Sequence, residues 1–92
     1  MTITIQIGNS DDKLSQASWS NYVRDVSITV AAHNCQPHFF ACSDSSETWQ
    51  NAAWVVVCDA AEAALLKSCV SNIRQRYKQD SVAWTEGETQ FV

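Results

Sequence analysis

Three residues in one short stretch carry side chains suited to nucleophilic or metal chemistry: His33, Cys35 and His38. A catalytic Cys–His pair is defined by its geometry in the folded protein, and this spacing matches no nucleophile motif. Paired carboxylates, a phosphate-binding loop and a metal-ligand cluster are likewise missing from the sequence. The sequence therefore predicts a protein that is not an enzyme and has no catalytic residue. A small enzyme or ligand-binding protein that uses these three residues is the weaker alternative.

The four cysteines lack the spacing of a metal or redox site. Cys35, Cys42, Cys58 and Cys69 include no Cys-x-x-Cys pair, which zinc sites and thioredoxin-type motifs require. Free cysteine is among the most frequently buried residue types. We expect four reduced core residues rather than disulfides, and neither a metal nor a cofactor.

Carboxylates form the second candidate site. Ten acidic residues against six basic ones give a net charge of −4, which disfavours direct nucleic-acid binding and favours basic protein surfaces. Asp59 and Glu62 are explained as a capping box at a helix start. The other carboxylates of interest fall in predicted loops and turns: Asp11, Asp12, Asp44, Glu47, Glu86 and Glu88. Each one taken alone fits a solvated surface charge, whereas together they resemble a row of phosphates that a basic groove would bind.

Aromatic residues add one candidate to this partner-binding set. Trp49 lies between polar residues and suits either the anchor of an interface or the core of an edge strand, and the sequence leaves both open. The other aromatics near predicted strands could stack bases, as in RNA-recognition motifs, or fill the core: Phe39, Phe40, Trp54 and Trp84. The shortage of lysine and arginine favours the core.

Hydrophobic periodicity predicts the elements that position these residues. Residues 2–7 alternate as a half-buried strand, and a helical stripe follows from an N-cap at Ser15 to a left-handed Asn34. Strands are expected at 38–42, 49–58 and 82–85, with a second helix from Asp59 whose apolar stripe includes Leu65. A short fifth strand ending at Phe91–Val92 is possible after a turn at residues 86–87.

The order β-α-β-β-α-β predicts the α+β ferredoxin-like fold, an antiparallel sheet of four to five strands with two helices on one face. The length of 92 residues predicts a single domain, 1–92. No apolar run approaches the length of a membrane span, and the alternating start does not resemble a signal peptide. These features predict a cytoplasmic protein without membrane contact.

Three segments carry a resemblance to a known family: Thr4–Leu14, Trp49–Asn51 and Gln79–Thr89. Together they resemble small proteins carried by bacteriophages and mobile elements, and the chain looks like an anti-CRISPR protein that acts on type I-C systems. The resemblance implies a host bacterial cytoplasm, and a protein that binds the crRNA-guided surveillance complex and prevents target DNA from engaging. The implied contact is the large subunit Cas8, which reads the protospacer-adjacent motif.

Acidity is consistent with this implied function, because a DNA-reading groove is basic and an acidic domain could fill it as a DNA mimic. The basic residues near the end of the second helix, Arg74, Arg76 and Lys78, leave open whether charge or shape would carry the inhibition. The alternative is a phage regulatory or adaptor protein that acts through protein contacts or dimerises through its open sheet face. For the inhibitor we expect a monomer rather than a dimer.

Overall fold

The protein has two helices and four strands. The computed structural model describes residues 1–9, 13–44, 46 and 49–92. Its elements are β1 (Thr2–Gly8), α1 (Gln16–Ala32), β2 (Gln36–Cys42), β3 (Asn51–Val57), α2 (Ala60–Arg76) and β4 (Ala83–Gly87). The sheet has the order β2-β3-β1-β4 with every neighbouring pair antiparallel. This is the ferredoxin-like arrangement, so the predicted fold class is confirmed.

Both helices cover one face of the sheet. The central strands β1 and β3 fit this arrangement because buried and more exposed residues alternate along them. Ile3, Ile5 and Ile7 of β1 are buried, and β3 adds Ala52, Trp54 and Val56 beside them. These side chains form one core with the buried stripes of α1 and α2. The alternate residues of β3, such as Val55, are half-buried, so β3 is central as predicted but is not buried on both faces.

Helix α1 begins as predicted and ends differently. The Ser15 side chain accepts a hydrogen bond from the Ser18 backbone N–H, which confirms the N-cap. The prediction that Asn34 adopts a left-handed backbone conformation after α1 is wrong. Among the described residues other than glycine, only Lys78, which follows α2, has a positive φ (56°), and α1 ends in an extended His33.

Helix α2 buries a narrower stripe than the sequence predicts. Its buried residues are Ala63, Leu66, Val70 and Ile73, whereas Leu65 is 59% exposed. A residue next to Leu66 is rotated by about 100° around the helix. The prediction that Leu65 belongs to the core stripe is therefore wrong.

The chain after β4 does not return to the sheet. Glu86 and Gly87 stay in the β1–β4 ladder opposite Ile3 and Thr2, so they do not form the predicted turn. Residues 88–92 have no regular structure, and Phe91 is 95% exposed. The fifth strand that the sequence left optional is therefore absent, and the sheet formed by the described residues has four strands, the smaller of the two predicted numbers.

Candidate partner-binding site

Hydrogen bonds join the chain where it leaves β2 to the chain where it enters β3. The Ser43 backbone N–H donates to the Asn51 carbonyl (2.8 Å), and the Asn51 N–H donates to the Ser43 hydroxyl (2.9 Å). The Ser46 N–H and hydroxyl both donate to Asp44 Oδ1 (3.0 Å each). Asp44 and Trp49 therefore lie close in sequence to the joined ends of β2 and β3.

A buried amide network supports the base of Trp49. Asn9 and Gln50 are both buried, and the Asn9 N–H donates to the Gln50 carbonyl (2.8 Å). The Asn9 side chain binds the Leu14 backbone in both directions, donating at 3.1 Å and accepting at 3.0 Å. Gln50 exchanges side-chain hydrogen bonds with Gln16 at 2.8 and 3.0 Å. The network joins β1, the start of α1 and the residue after Trp49, so it holds Gln50 in place.

Trp49 itself packs into no core. Its side chain is 65% exposed and lies outside β3, which begins at Asn51. The alternative in which Trp49 is an edge-strand core residue is therefore wrong. The sequence offers no signal for the network beneath it, because Asn9 is indistinguishable from a turn residue and Gln50 from a surface amide.

The described members of the predicted carboxylate set fall at two ends of the sheet. Asp44 and Trp49 lie at the end where Gly8 pairs with Asn51, called here the loop end. Glu86 lies near the opposite end, beside Ile3, and Glu88 follows β4 there. The length of β1 separates these ends by about 20 Å. Asp11, Asp12 and Glu47 lie outside the described residues.

A shallow polar cleft adjoins the loop end. Its volume is about 380 Å³, and Gln6, Gly8, Asn51 and Asp80 contribute to its wall. A Cβ at Gly8 would approach Asn51 Oδ1 to 2.9 Å, so a larger residue there would displace the Asn51 side chain. Asp80 is exposed, and its carboxylate lies 3.9 Å from Lys13 Nζ. The loop end therefore combines an exposed indole, carboxylates and amide groups.

Glu86 at the opposite end has a local partner. Its carboxylate accepts a hydrogen bond from Trp84 Nε1 (2.8 Å), and Lys67 Nζ lies 5.7 Å from the centre of the Trp84 ring. This bond accounts for Glu86 as a group that orients the Trp84 indole. Glu88 is exposed beyond it.

The strand aromatics lie almost entirely on the helix side of the sheet. Trp54 is buried, donates Nε1–H to the Ser27 hydroxyl (3.1 Å) and packs against Phe40 with ring centres 5.2 Å apart. Trp84 pairs with Ile5, whose side chain faces the helices. Phe39, opposite Val55, is the one aromatic that the described strands place on the open face. This face has no row of rings on which successive bases would stack.

Of the residues first considered for catalysis, His33 has a specific side-chain partner. His33 Nδ1 hydrogen-bonds Glu62 Oε1 (2.8 Å), which also accepts from the Asn34 N–H (3.1 Å). Glu62 therefore connects α2 to the end of α1 and does not complete the predicted capping box, although Asp59 does cap α2. His38 is exposed on the edge strand. No group of three His, Cys, Asp or Glu side chains within the described ranges is arranged to hold a metal ion.

The cysteines are free thiols in different environments. Cys58 is buried, Cys35 and Cys69 are half-buried, and Cys42 is exposed on β2. The prediction of a core position is correct for Cys58 and wrong for Cys42, because β2 is an edge strand whose residues are all exposed. Burial, followed by contact with the Cys58 thiol, raises the pKa of Cys35 to about 12.

The fold and this site define a ferredoxin-like domain that presents an exposed tryptophan beside a buried amide network. No protein-family model matches the sequence, and a search of curated proteins found no match. Over the part of the chain that the structure describes, neither helix has the length and apolarity needed to cross a membrane.

Proposed function

We propose that this chain is a non-enzymatic inhibitor that binds a type I-C CRISPR surveillance complex through Cas8 in the host bacterial cytoplasm and blocks target DNA binding. The resemblance of three sequence segments supports the choice of partner. The observation that carries a binding role is Trp49, a residue that is 65% exposed beside the buried, hydrogen-bonded Gln50.

An exposed tryptophan is suited to anchoring a protein complex. Tryptophan is enriched among the residues that dominate binding energy, because it buries a large apolar area with few rotatable bonds. The Asn9–Gln50–Gln16 network holds the neighbouring backbone before any partner arrives. Backbone that is already held in place loses less conformational entropy on binding, so more of the contact energy appears as affinity.

Charge adds steering toward a basic groove. The chain has a net charge of −4, and Asp44 and Asp80 are exposed at the loop end. The basic residues of the last turn of α2, Arg74 and Arg76, reach the same end on the helix side. Since the loop end is not uniformly acidic, Trp49 carries the affinity in this proposal and the carboxylates raise the association rate.

The test is a DNA-binding assay with a purified type I-C effector and labelled target DNA. The wild-type protein should abolish DNA binding. Trp49→Ala should raise the half-inhibitory concentration by about 30-fold or more, the effect of losing a hot-spot residue. Phe91→Ala is the matched control, because it removes an exposed ring from the opposite end and should leave inhibition unchanged. Undiminished DNA binding with wild-type protein, or equal effects of the two variants, would overturn the proposal.

Paired substitutions at the two ends locate the contribution of charge. Asp44→Asn with Asp80→Asn should slow association several-fold and flatten its salt dependence, whereas Glu86→Gln with Glu88→Gln should change neither. Glutamine at 86 can still accept the Trp84 N–H, so the second pair leaves that contact available. A larger effect from the second pair would show that the partner binds the end of the sheet opposite the loop end, which contradicts the proposal.

A second candidate, a regulatory or adaptor protein that dimerises, is favoured by the open face of the sheet. Across the four described strands the only Asp, Glu, Lys or Arg is Glu86, and its pairing with Ile3 places it on the helix side. An uncharged face can meet its own copy without like-charge repulsion. Light scattering over a range of concentrations distinguishes the candidates: a dimer that Val55→Lys dissociates supports this one, and a monomer throughout removes it.

A further inference from the structure

Cys35 and Cys58 occupy opposite positions at the end of a strand ladder. Gln36 pairs with Val57 in the β2–β3 register, so one further step places Cys35 opposite Cys58. The Cys58 N–H donates to the Met1 carbonyl (3.1 Å), and the Met1 ammonium donates to the Cys58 carbonyl (3.0 Å). Both backbone groups of Cys58 therefore point away from Cys35.

This arrangement makes Cys35 and Cys58 a non-hydrogen-bonded cross-strand pair. Residues in such pairs have Cα atoms about 4.5 Å apart and side chains on the same face. Disulfides form between cysteines whose Cα atoms are about 4.4–6.8 Å apart. Cys58 belongs to the core under the helices and Cys35 packs against it, and the nearby Cys58 thiol adds to the effect of burial in raising the pKa of Cys35. The backbone therefore has the geometry for a disulfide without rearrangement.

We propose that Cys35 and Cys58 form a redox modification site that a low-molecular-weight disulfide oxidises to an intrachain disulfide. The Cys35 thiolate, on the more accessible residue, attacks one sulfur of the reagent and releases one thiol, leaving a mixed disulfide. The Cys58 sulfur then displaces the second thiol and closes the Cys35–Cys58 bond. The protein loses two electrons and two protons, and the reagent leaves as two thiols. This inference is independent of the proposed function.

Cys42 provides an internal contrast. It is exposed on β2 and pairs with Ala52, so the ladder places no thiol opposite it. The same reagent should stop at a mixed disulfide on Cys42, which adds mass, whereas closure of Cys35–Cys58 removes two hydrogens. The two products are therefore distinguishable by mass.

The test is incubation of the whole protein with oxidised glutathione at several pH values, followed by alkylation and peptide mapping. We expect a peptide that links Cys35 to Cys58, formed about tenfold faster per pH unit between pH 7 and 10, as the thiolate fraction grows. Cys42→Ser should retain the linkage, and Cys58→Ser should leave Cys35 as a free thiol or a glutathione adduct. Cys35→Ser, at a half-buried position, should equally abolish the linkage.

Thermal unfolding gives a second measurement. Closing the chain between Cys35 and Cys58 should raise Tm by about 10 °C or more, and a reductant should reverse the shift. Cys58→Ser treated identically should show no shift. Free alkylated thiols at both positions after prolonged oxidation at pH 10, or separate glutathione adducts on each, would overturn the inference.

Discussion

Tyr22 is the polar side chain that fits its surroundings least well. It is fully buried, stacks on Tyr77 with ring centres 4.8 Å apart, and meets Trp19 edge-on. Among the described residues it carries the one buried side-chain polar atom without a hydrogen-bond partner, its hydroxyl oxygen. Burial raises the pKa of Tyr22 to about 12, although Arg74 opposes this shift. Tyr77 differs, because its hydroxyl donates to Asp25.

Tyr22→Phe should therefore keep or increase stability at pH 7, by up to about 1 kcal/mol, because it removes an unsatisfied buried hydroxyl. The wild-type protein favours the protonated phenol when folded. The stability that the protonated Tyr22 phenol contributes is therefore fully present below pH 10 and is lost as the pH rises toward 12. Tyr22→Phe has no phenol to ionise, so its free energy of unfolding should fall less over this pH range. Urea unfolding at pH 7 and pH 11 measures both effects. Tyr77→Phe, the matched control, should be destabilised at pH 7, and a comparable loss in Tyr22→Phe would indicate a partner for its hydroxyl.

At the scale of elements, Glu62 couples the two helices. Asp59 caps α2 by accepting the Glu62 N–H (2.8 Å), which leaves the Glu62 carboxylate free to reach His33 and Asn34. The start of α2 thereby accepts hydrogen bonds from the chain that leaves α1. Both carboxylates also complement the positive end of the α2 dipole.

Glu62→Ala should lower the free energy of unfolding by about 2 kcal/mol, since it removes one partly buried and one exposed hydrogen bond to a charged acceptor. Glu62→Gln should cost less, because its amide oxygen can still accept from Asn34. Asp59→Ala should cost about 1 kcal/mol, as for other N-caps. Chemical denaturation ranks the three variants. Equal losses for Glu62→Ala and Glu62→Gln would mean that the charge, and not the acceptor geometry, stabilises the junction.

At the scale of the whole molecule, the buried amides of Asn9 and Gln50 hold three elements together. They connect the end of β1, the start of α1 at Gln16 and the chain that enters β3. Buried amides are costly when unpaired and rigid when satisfied. The position of the backbone next to Trp49 therefore depends on contacts between distant parts of the chain.

Gln50→Ala should lower stability by about 2 kcal/mol and leave the Asn9 and Gln16 amides short of a partner. If rigidity supports binding, the variant should also inhibit DNA binding several-fold less at a temperature where circular dichroism shows it fully folded. Ser46→Ala changes the same loop outside the network and is the control. Unchanged inhibition by folded Gln50→Ala would show that the partner, and not this network, orders Trp49.

Much of the fold was predictable because its causes are local. The alternation of residues 2–7, the stripe of α1 and the caps at Ser15 and Asp59 depend on neighbours within a turn or a strand. The β-α-β-β-α-β order then leaves few ways to bury both helices on one sheet. The prediction for Leu65 was wrong because the sequence does not show how wide a face of α2 the sheet and α1 cover, and Leu65 lies beside the buried stripe.

The site depended on contacts between distant parts of the chain. Gln50 meets Asn9, Glu62 meets His33, and Cys58 stands opposite Cys35 only after the strands and helices have packed. No periodicity encodes such pairs, because each is set by the register and tilt of whole elements. The amino-acid pattern thus specified the helices, the strands and an acidic surface, whereas packing specified that Trp49 faces solvent and that carboxylates along the chain lie at opposite ends of the sheet.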